Sequence, residues 1–490
     1  MARLVSPLVV REGKEFTGLV NENMFGALFQ EAPQYLSQVS TALFERNEYM
    51  TVYSYIKQHF PTIYLSSDDE WRWRLHGQAE KNLPLVKCSL SSGGSAVSAT
   101  DFVGANGTEF YLTFTEPYFS GGSLIVGEMN ELYPILTIGD PLAIGGYYEY
   151  KCRLNSSDND LFIPYDEVQA GKRFSEEYMP VERTLSSRGS KTHFNSSFEL
   201  RNVFSQIRKE AAYPGNMKDK VGAFKFMSED GKEFKTWLSY ASYQTMKQWE
   251  ADKARLHMYS TYNADVNGSV NVLGISGNII QTGAGIREQI KYGNYQTYST
   301  FDIEAFSEIL LDLSTDKLGN ANRKFVIATG EWGIYDFSKS LENYSTLYTP
   351  ARDNSRIYSA GGNTMGYKGQ FLEYKGPNGI ELTIIHDALK DDKVRNKVMD
   401  PSGRGTLESR TMDILNLATS DGKPNIQCVE VNGGGDIRGY IQGLRSNYAA
   451  DGAMKPMANS VDGWEEHYMY IGGGQVTDPT RCLVLEKSVN

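Results

Sequence analysis

Cysteine is scarce in this chain of 490 residues: Cys88, Cys152, Cys428 and Cys482 lie far apart, with no C-x-x-C pair. That spacing excludes a zinc knuckle, and four thiols are too few for a disulfide scaffold. Buried reduced thiols are the expectation. Histidine is scarce too, and His59, His76, His193, His257, His386 and His467 stand in no catalytic pattern. No G-x-S-x-G elbow occurs, since "GISG" from Gly274 lacks the spacing, and "ATGEWG" lacks the G-K-[ST] that would hold phosphate and magnesium. The N-terminus shows no charged region followed by a long apolar core, and no apolar run approaches the ~20 residues of a membrane helix. Three carboxylate groupings remain: Asp68-Asp69-Glu70, the set Asp387, Asp391 and Asp392, and Asp265 with Asn267 and Gly268. The last has no bidentate Glu at the required position of a calcium loop. The first two could hold a cation between subunits, but such clusters are more often solvated loops or helix starts. No catalytic, cofactor-binding or metal-ligating set emerges, and the expectation is a protein that is not an enzyme.

Basic residues are outnumbered, 49 against 60 acidic ones, for a formal net charge of −11. No Lys/Arg run appears at either end. A protein that wraps DNA needs a dense basic patch, so direct packaging by this chain is disfavoured. An acidic balance suits solubility at high concentration, or a surface that must not stick to DNA.

What is abundant is aromatic: 31 Tyr and 22 Phe in a chain that is 40% hydrophobic and 22% charged, a globular balance. Residues 1 to about 45 carry scattered apolar residues without period and read as an arm laid across either the chain's own fold or a neighbour. A short helix is expected in "EYMTVYSYIKQH" (48–59). From about 70 to 164 the pattern is β. "EWRWRLH" sets Trp71 and Trp73 against Arg72 and Arg74, "EFYLTFTEP" aligns Phe110, Leu112 and Phe114, and "YYEYKCRL" alternates Tyr148, Tyr150, Cys152 and Leu154 with Glu149, Lys151 and Arg153. The longest helical signal comes next, from Phe234 to Tyr259, without Pro or Gly. "NADVNGSVN" then reads as a turn-rich linker. Beyond it, helices are expected in "DIEAFSEILLDLS" and "EWGIYDFSKSLEN", around the strand "RKFVIATG", whose unbroken apolar run marks burial on both faces. Gly330 sits at the strand-to-helix turn, and "QFLEYK", "IELTIIHDA", "IQCVEV" and "TRCLVLEK" read as further strands.

Arm, β projection, unbroken spine helix and mixed α/β domain, in that order, resemble the Hong Kong 97-type capsid fold of tailed bacteriophages and herpesviruses. The strings "EPYFSGGSLI" to "YYEYKCRL", "EFKTWLSYASYQTMKQWEADKARLHMYSTYN" and "NRKFVIATGEWGIYDFSKSL" are similar to those of major capsid proteins of crAss-like phages. The resemblance implies an α+β subunit. Its parts would be an N-terminal arm (1–67), an extended β loop (68–180), a peripheral domain with the spine helix (181–262), an axial domain (263–430) and C-terminal strands returning to the core (431–490). Insertions are expected at 181–225 or 343–370. Also implied are self-assembly into pentamers and hexamers of an icosahedral head around double-stranded DNA, and portal, scaffold and auxiliary or head-fibre proteins as partners. The location implied is the virion, built in the host bacterial cytoplasm, with no membrane role. Trp71, Arg72, Trp73 and Arg74, with Tyr118 and Phe119, are the expected interface residues, because Trp, Tyr and Arg dominate interface hot spots. Packing of Trp71 and Trp73 onto the chain's own core is the competing reading. The alternatives in function are a minor capsid, vertex or tail protein, a cytoplasmic carbohydrate-active enzyme, and an encapsulin-type compartment.

Overall fold

The computed structural model describes residues 39–41, 51–66, 69–77, 79–129, 132–184, 189–215, 221–227, 233–265, 267–315, 323–343, 349–350, 371–375, 379–420, 423–445 and 457–488. The expected arm and the candidate insertion at 343–370 fall largely outside the described residues. The chain divides into two compact units: Arg74–Glu199, and a larger one made of Met1–Trp73 with Leu200–Asn490.

The unit Arg74–Glu199 is built on an eight-stranded sheet. Its strands run in the order Leu83–Pro84, Arg173–Glu176, Leu124–Val126, Ile135–Thr137, Tyr147–Leu154, Phe110–Phe114 and Lys87–Ser89, and Leu142–Ile144 pairs with the start of Tyr147–Leu154. The expected alternation of Phe110, Leu112 and Phe114 is realised, since all three side chains are fully buried. Phe119, Tyr150 and Phe174 close edge-on around Phe114, with ring centroids 5.0, 5.8 and 5.9 Å away, the geometry that aromatic quadrupoles favour. Tyr150, Cys152 and Leu154 face the same core. Glu149 breaks the alternation and is buried. Its carboxylate accepts from Ser92 Oγ at 2.6 Å and from the Gly93 N–H at 2.9 Å, which satisfies it inside a turn that strand periodicity does not reveal.

The larger unit mixes helices and strands, the α+β class expected. Among the described residues its helices are α1 (Val52–His59), α2 (Trp237–Tyr259), α3 (Ile286–Gly293), α4 (Ile303–Ser314), α5 (Glu331–Asn343) and α6 (Leu407–Arg410). Thr51 caps α1 by accepting from the Ser54 N–H, and Asp302 caps α4 by accepting from the Glu304 N–H. The spine helix α2 has 23 residues, a span of about 35 Å. It begins at Trp237, because Glu233–Thr236 pairs as a strand with Val221–Met227. Trp249 and Leu256 of α2 pack with Tyr468 and Tyr470 of the strand Gly463–Val476. That strand is the centre of a second sheet, between Ser205–Pro214 and Ile426–Val431.

A seven-stranded mixed sheet forms the α/β part, in the order Tyr295–Tyr298, Leu483–Lys487, Met412–Asn416, Lys324–Thr329, Glu381–His386, Phe371–Lys375 and Thr349–Pro350. Its middle strand carries the run "KFVIAT", buried on both faces as expected. Phe325 and Ile327 join Phe306, Leu310 and Phe337 of α4 and α5. Val326 and Ala328 join Val52 and Ile56 of α1 and Ile286 and Ile290 of α3. Gly330 succeeds this strand, where a Cβ would stand 2.6 Å from Ser409 Oγ. A side chain there would push α5 away from α6.

Candidate inter-subunit surfaces

The expected interface residues divide between interior and surface. In strand Glu70–Leu75, Trp71 is buried in its own unit against Phe204 (centroids 4.7 Å apart) and over Gly473, where a Cβ would come within 2.7 Å of the indole. Trp73 is half-buried and donates its Nε1–H to the Thr477 carbonyl at 3.1 Å. Arg72 and Arg74 point outward, Arg72 paired with Glu70 at 2.5 Å and Arg74 with Glu199 at 3.4 Å. Phe119 lies in the core of the Arg74–Glu199 unit. Neighbouring Tyr118 is half-exposed and stacks on His193 at 4.0 Å, beside a groove lined by Lys81, Glu176 and Lys191. Glu176 is held there by His193 at 2.9 Å and Ser123 at 2.5 Å. Arg72, Arg74 and Tyr118 are thus open to a neighbour, whereas Trp71 and Phe119 are spent on the chain's own core.

One open surface has no local motif. The strand Leu142–Ile144 turns through Gly145 and Gly146, with φ of 60° and 87°, into Tyr147–Leu154. Both turn residues need positive φ, as a two-residue hairpin of the primed type requires. Leu142, Ile144 and Tyr147 are all exposed. Among the described residues, Leu142–Ile144 has a partner strand on one side alone, so its other edge presents unpaired backbone groups. An apolar open edge of this kind invites pairing with another chain. The sequence signal, apolar residues next to Gly-Gly, was visible, but it does not say that the residues stay uncovered.

Of the carboxylates weighed as cation ligands, Asp68 lies outside the described residues, and the following are already partnered. Asp391 accepts from the Glu331 N–H at 2.9 Å and from Ser409 Oγ, and it lies 2.6 Å from His386 Nε2. Asp392 pairs with Arg255 at 3.3 Å. Asp265 accepts from the N–H groups of Asn267 and Ser269, a local turn. Asp387 is fully buried, and burial pushes its carboxyl up to about 6. Beside it Lys390 is also fully buried, pairing with Asp413 at 2.7 Å and donating to the Thr411 carbonyl at 3.0 Å. Burial works to raise Asp413, but the Lys390 and Arg287 charges outweigh it and hold it below the usual carboxylate range. Arg287 also pairs with Glu408, and with Glu486 at 2.8 Å. This hub ties α3, α6 and strands Met412–Asn416 and Leu483–Lys487 together. No group of three or more His, Cys, Asp or Glu is placed to hold a metal among the described residues. All four cysteines are buried, and burial pushes the Cys88, Cys428 and Cys482 thiols up to about 12, so they carry little thiolate. Among the described residues, no helix is long and apolar enough to cross a membrane.

The chain belongs to the Crassvirus major capsid protein family, whose model matches residues 2–490. The major capsid protein of Bacteroides phage crAss001 is 33% identical over 491 residues, covering 96% of each chain. The capsid of cyanophage P-SCSP1u aligns with 64% of this chain and 82% of its own, at 9% identity and a TM-score of 0.30. The SrpI encapsulin of Synechococcus elongatus aligns with 63% and 79%, at 9% identity and a TM-score of 0.33. Structural likeness this slight says nothing of function, and the assignment stands on the sequence family. That family makes this a major capsid protein of a crAss-like phage, a structural component of a virion shell.

Proposed function

We propose that the chain assembles with copies of itself, as pentamers and hexamers, into an icosahedral head that encloses double-stranded DNA, and that it catalyses no reaction. The observation that carries this is the apolar open edge at Leu142–Ile144, on a chain matched along its length by a capsid family. In this reading residues 1–67 form an arm over neighbouring subunits. The β projection corresponds to the compact unit Arg74–Glu199, a little beyond the 68–180 read from sequence. Residues 190–195 support the later end, since the Lys191 N–H donates to Ser120 Oγ and His193 binds Glu176. Helix α2 belongs to the peripheral domain, 263–430 to the axial domain, and 431–490 returns to their core. Assembly takes place in the host bacterial cytoplasm with portal, scaffold and auxiliary or head-fibre proteins, and the acidic chain encloses DNA without sequence-specific contacts.

Electron microscopy of the overexpressed chain tests the reading. Closed shells or curved sheets are expected, and a persistent monomer that turns over a substrate would sink it. Arg72→Ala with Arg74→Ala separately tests the expected contact at strand Glu70–Leu75. Reduced shell yield with an unchanged melting temperature is expected, and an unchanged yield removes these two residues from the interface.

A further inference from the structure

After α2 the chain forms a hairpin between Asn263 and Thr282, of which 263–271 reads from sequence as a turn-rich linker. The Asn263 side chain ties its base, accepting from the Thr282 N–H at 3.0 Å and donating to the Ile280 carbonyl at 2.7 Å. The Ile280 N–H donates to the Val272 carbonyl, and the Gly274 N–H to the Asn278 carbonyl, both at 2.8 Å. Leu273 bridges Ile279, and Gly277, at φ 76°, makes the reversal. The tip is therefore a defined structure and not a loose tail.

Its side chains are on the wrong side of ordinary folding logic. Ile275 is 110% exposed, Leu273 and Ile279 are each 63%, Val272 is 47% and Ile280 is 46%. Five aliphatic side chains this open on one short hairpin together expose roughly several hundred Å² of apolar surface, the size that marks an interaction site on a soluble protein. Such a patch is a large part of the ~800 Å² that each partner contributes to a standard interface. No charged residue and no histidine stands between Asp265 and Arg287, in a chain that is 22% charged overall.

We infer that the hairpin Val272–Ile280 docks onto a second copy of this chain in the assembled shell. Charge selects that occupant. Each copy carries a formal −11, so two copies repel wherever their acidic surfaces meet, and an uncharged apolar knob is where they approach without that cost. The absence of Lys and Arg from the tip leaves nothing to attract DNA phosphate or an anionic lipid headgroup. The inference rests on the self-assembly reading above and adds to it a specific surface.

The test uses the full-length chain. Ile275→Asp and the double variant Ile275→Asp, Ile279→Asp are expected to lower shell yield at least tenfold, while the unassembled subunit melts as wild type does. Ile275→Leu is expected to restore assembly. A photo-crosslinking residue at 275, in particles mixed from isotopically light and heavy copies, is expected to give adducts joining light to heavy chains. Wild-type yield from both Asp variants, or adducts confined to one chain, for instance to its own N-terminal segment, overturns the inference and leaves the self-assembly reading standing. If the wild-type chain forms no shells, that reading fails instead. Crosslinking of concentrated chain in solution then still decides the hairpin by the presence or absence of light-to-heavy adducts.

Discussion

The two compact units solve the problem of a stable interior in opposite ways. In Arg74–Glu199 the core is aromatic, and the Lys–carboxylate pairs sit outside: Lys151 with Glu109 at 2.7 Å and Lys172 with Glu128 at 2.6 Å, all four at least a third exposed. The larger unit carries charge inside, with Lys390 and Asp413 paired at 2.7 Å and essentially inaccessible, and Arg287 shared among Glu408, Glu486 and Asp413. Surface pairs are close to neutral for stability. Buried pairs are costly to assemble and still costlier to break, because the survivor is left unmatched in low dielectric. One unit therefore depends on ring packing, and the other on keeping its charges matched.

The largest effect that sharpens this contrast is expected from Lys390→Met. It removes the cation nearest Asp413 and Asp387, leaving Asp413 only Arg287 at 3.6 Å, and about 3–5 kcal/mol of stability should be lost. Hydrogen exchange on the unassembled chain would show the loss at 381–392 and 407–416, with protection at 110–154 unchanged. Equal loss in both regions would break the comparison, since the units would then unfold as one. Phe114→Ala is the converse, with about 3–5 kcal/mol expected from the lost rings and cavity, confined to 110–154.

Acidity should separate the units next. His257 is fully buried, with Nε2 2.6 Å from Tyr470 Oη and its ring stacked on Tyr53 at 4.4 Å. Burial, helped by Lys57 and Lys253, pushes it down to about 3. The unfolded chain takes up the proton more readily, so this contribution is complete above the ordinary value near 6.5 and is lost as pH falls towards 3. By linkage the loss is at most about 5 kcal/mol. Asp387 has the opposite sign. Its folded value of about 6 lies above the ordinary 3.8, so its contribution is present below 3.8 and is lost as pH rises through 6. Asp387→Asn keeps an acceptor for the Leu389 N–H, which donates at 3.1 Å. It should therefore stabilise the larger unit by about 1–2 kcal/mol at pH 8 and leave pH 3.5 unchanged. In His257→Phe the acid limb should flatten. Urea midpoints at pH 3.5, 5, 6.5 and 8 check both, and a rise at pH 8 that persists undiminished at pH 3.5 would refute the Asp387 assignment.

The same contrast explains what was legible in the sequence. Ring packing is written locally: Phe110, Leu112 and Phe114 alternate, and "KFVIAT" is apolar throughout, so those strands and their buried faces could be read directly. The charge hub is assembled from residues 287, 390, 408, 413 and 486, brought together by strand order. No local spacing marks it, and Asp387 and Asp391 read as loop carboxylates. The alternation in "EWRWRLH" separates tryptophans from arginines correctly, but it does not say that Trp71 finds Phe204 and Gly473 while Trp73 stays half-exposed. In the hairpin at 263–282 the first part, 263–271, reads as turn, nothing in the pattern marks 272–282, and only the backbone bonds and exposures show that its aliphatic tip is held outward.

The smallest expected effect tests the quiet side of the comparison. Lys151 and Glu109 meet on the face of the sheet opposite Tyr150 and Cys152, both open to water. Each retains solvent in the folded and unfolded chain, so little desolvation is at stake, and fixing two long side chains offsets the attraction. Lys151→Ala, Glu109→Ala and the double variant should therefore leave the denaturant midpoint of the Arg74–Glu199 segments within measurement error at physiological salt. Protection at 110–154 should also be unmoved when salt is raised to 1 M, since screening weakens only exposed pairs. A coupling between the two substitutions as large as the Lys390→Met effect would mean that this unit, too, relies on matched charge. The distinction between an aromatic unit and an ionic one would then fail.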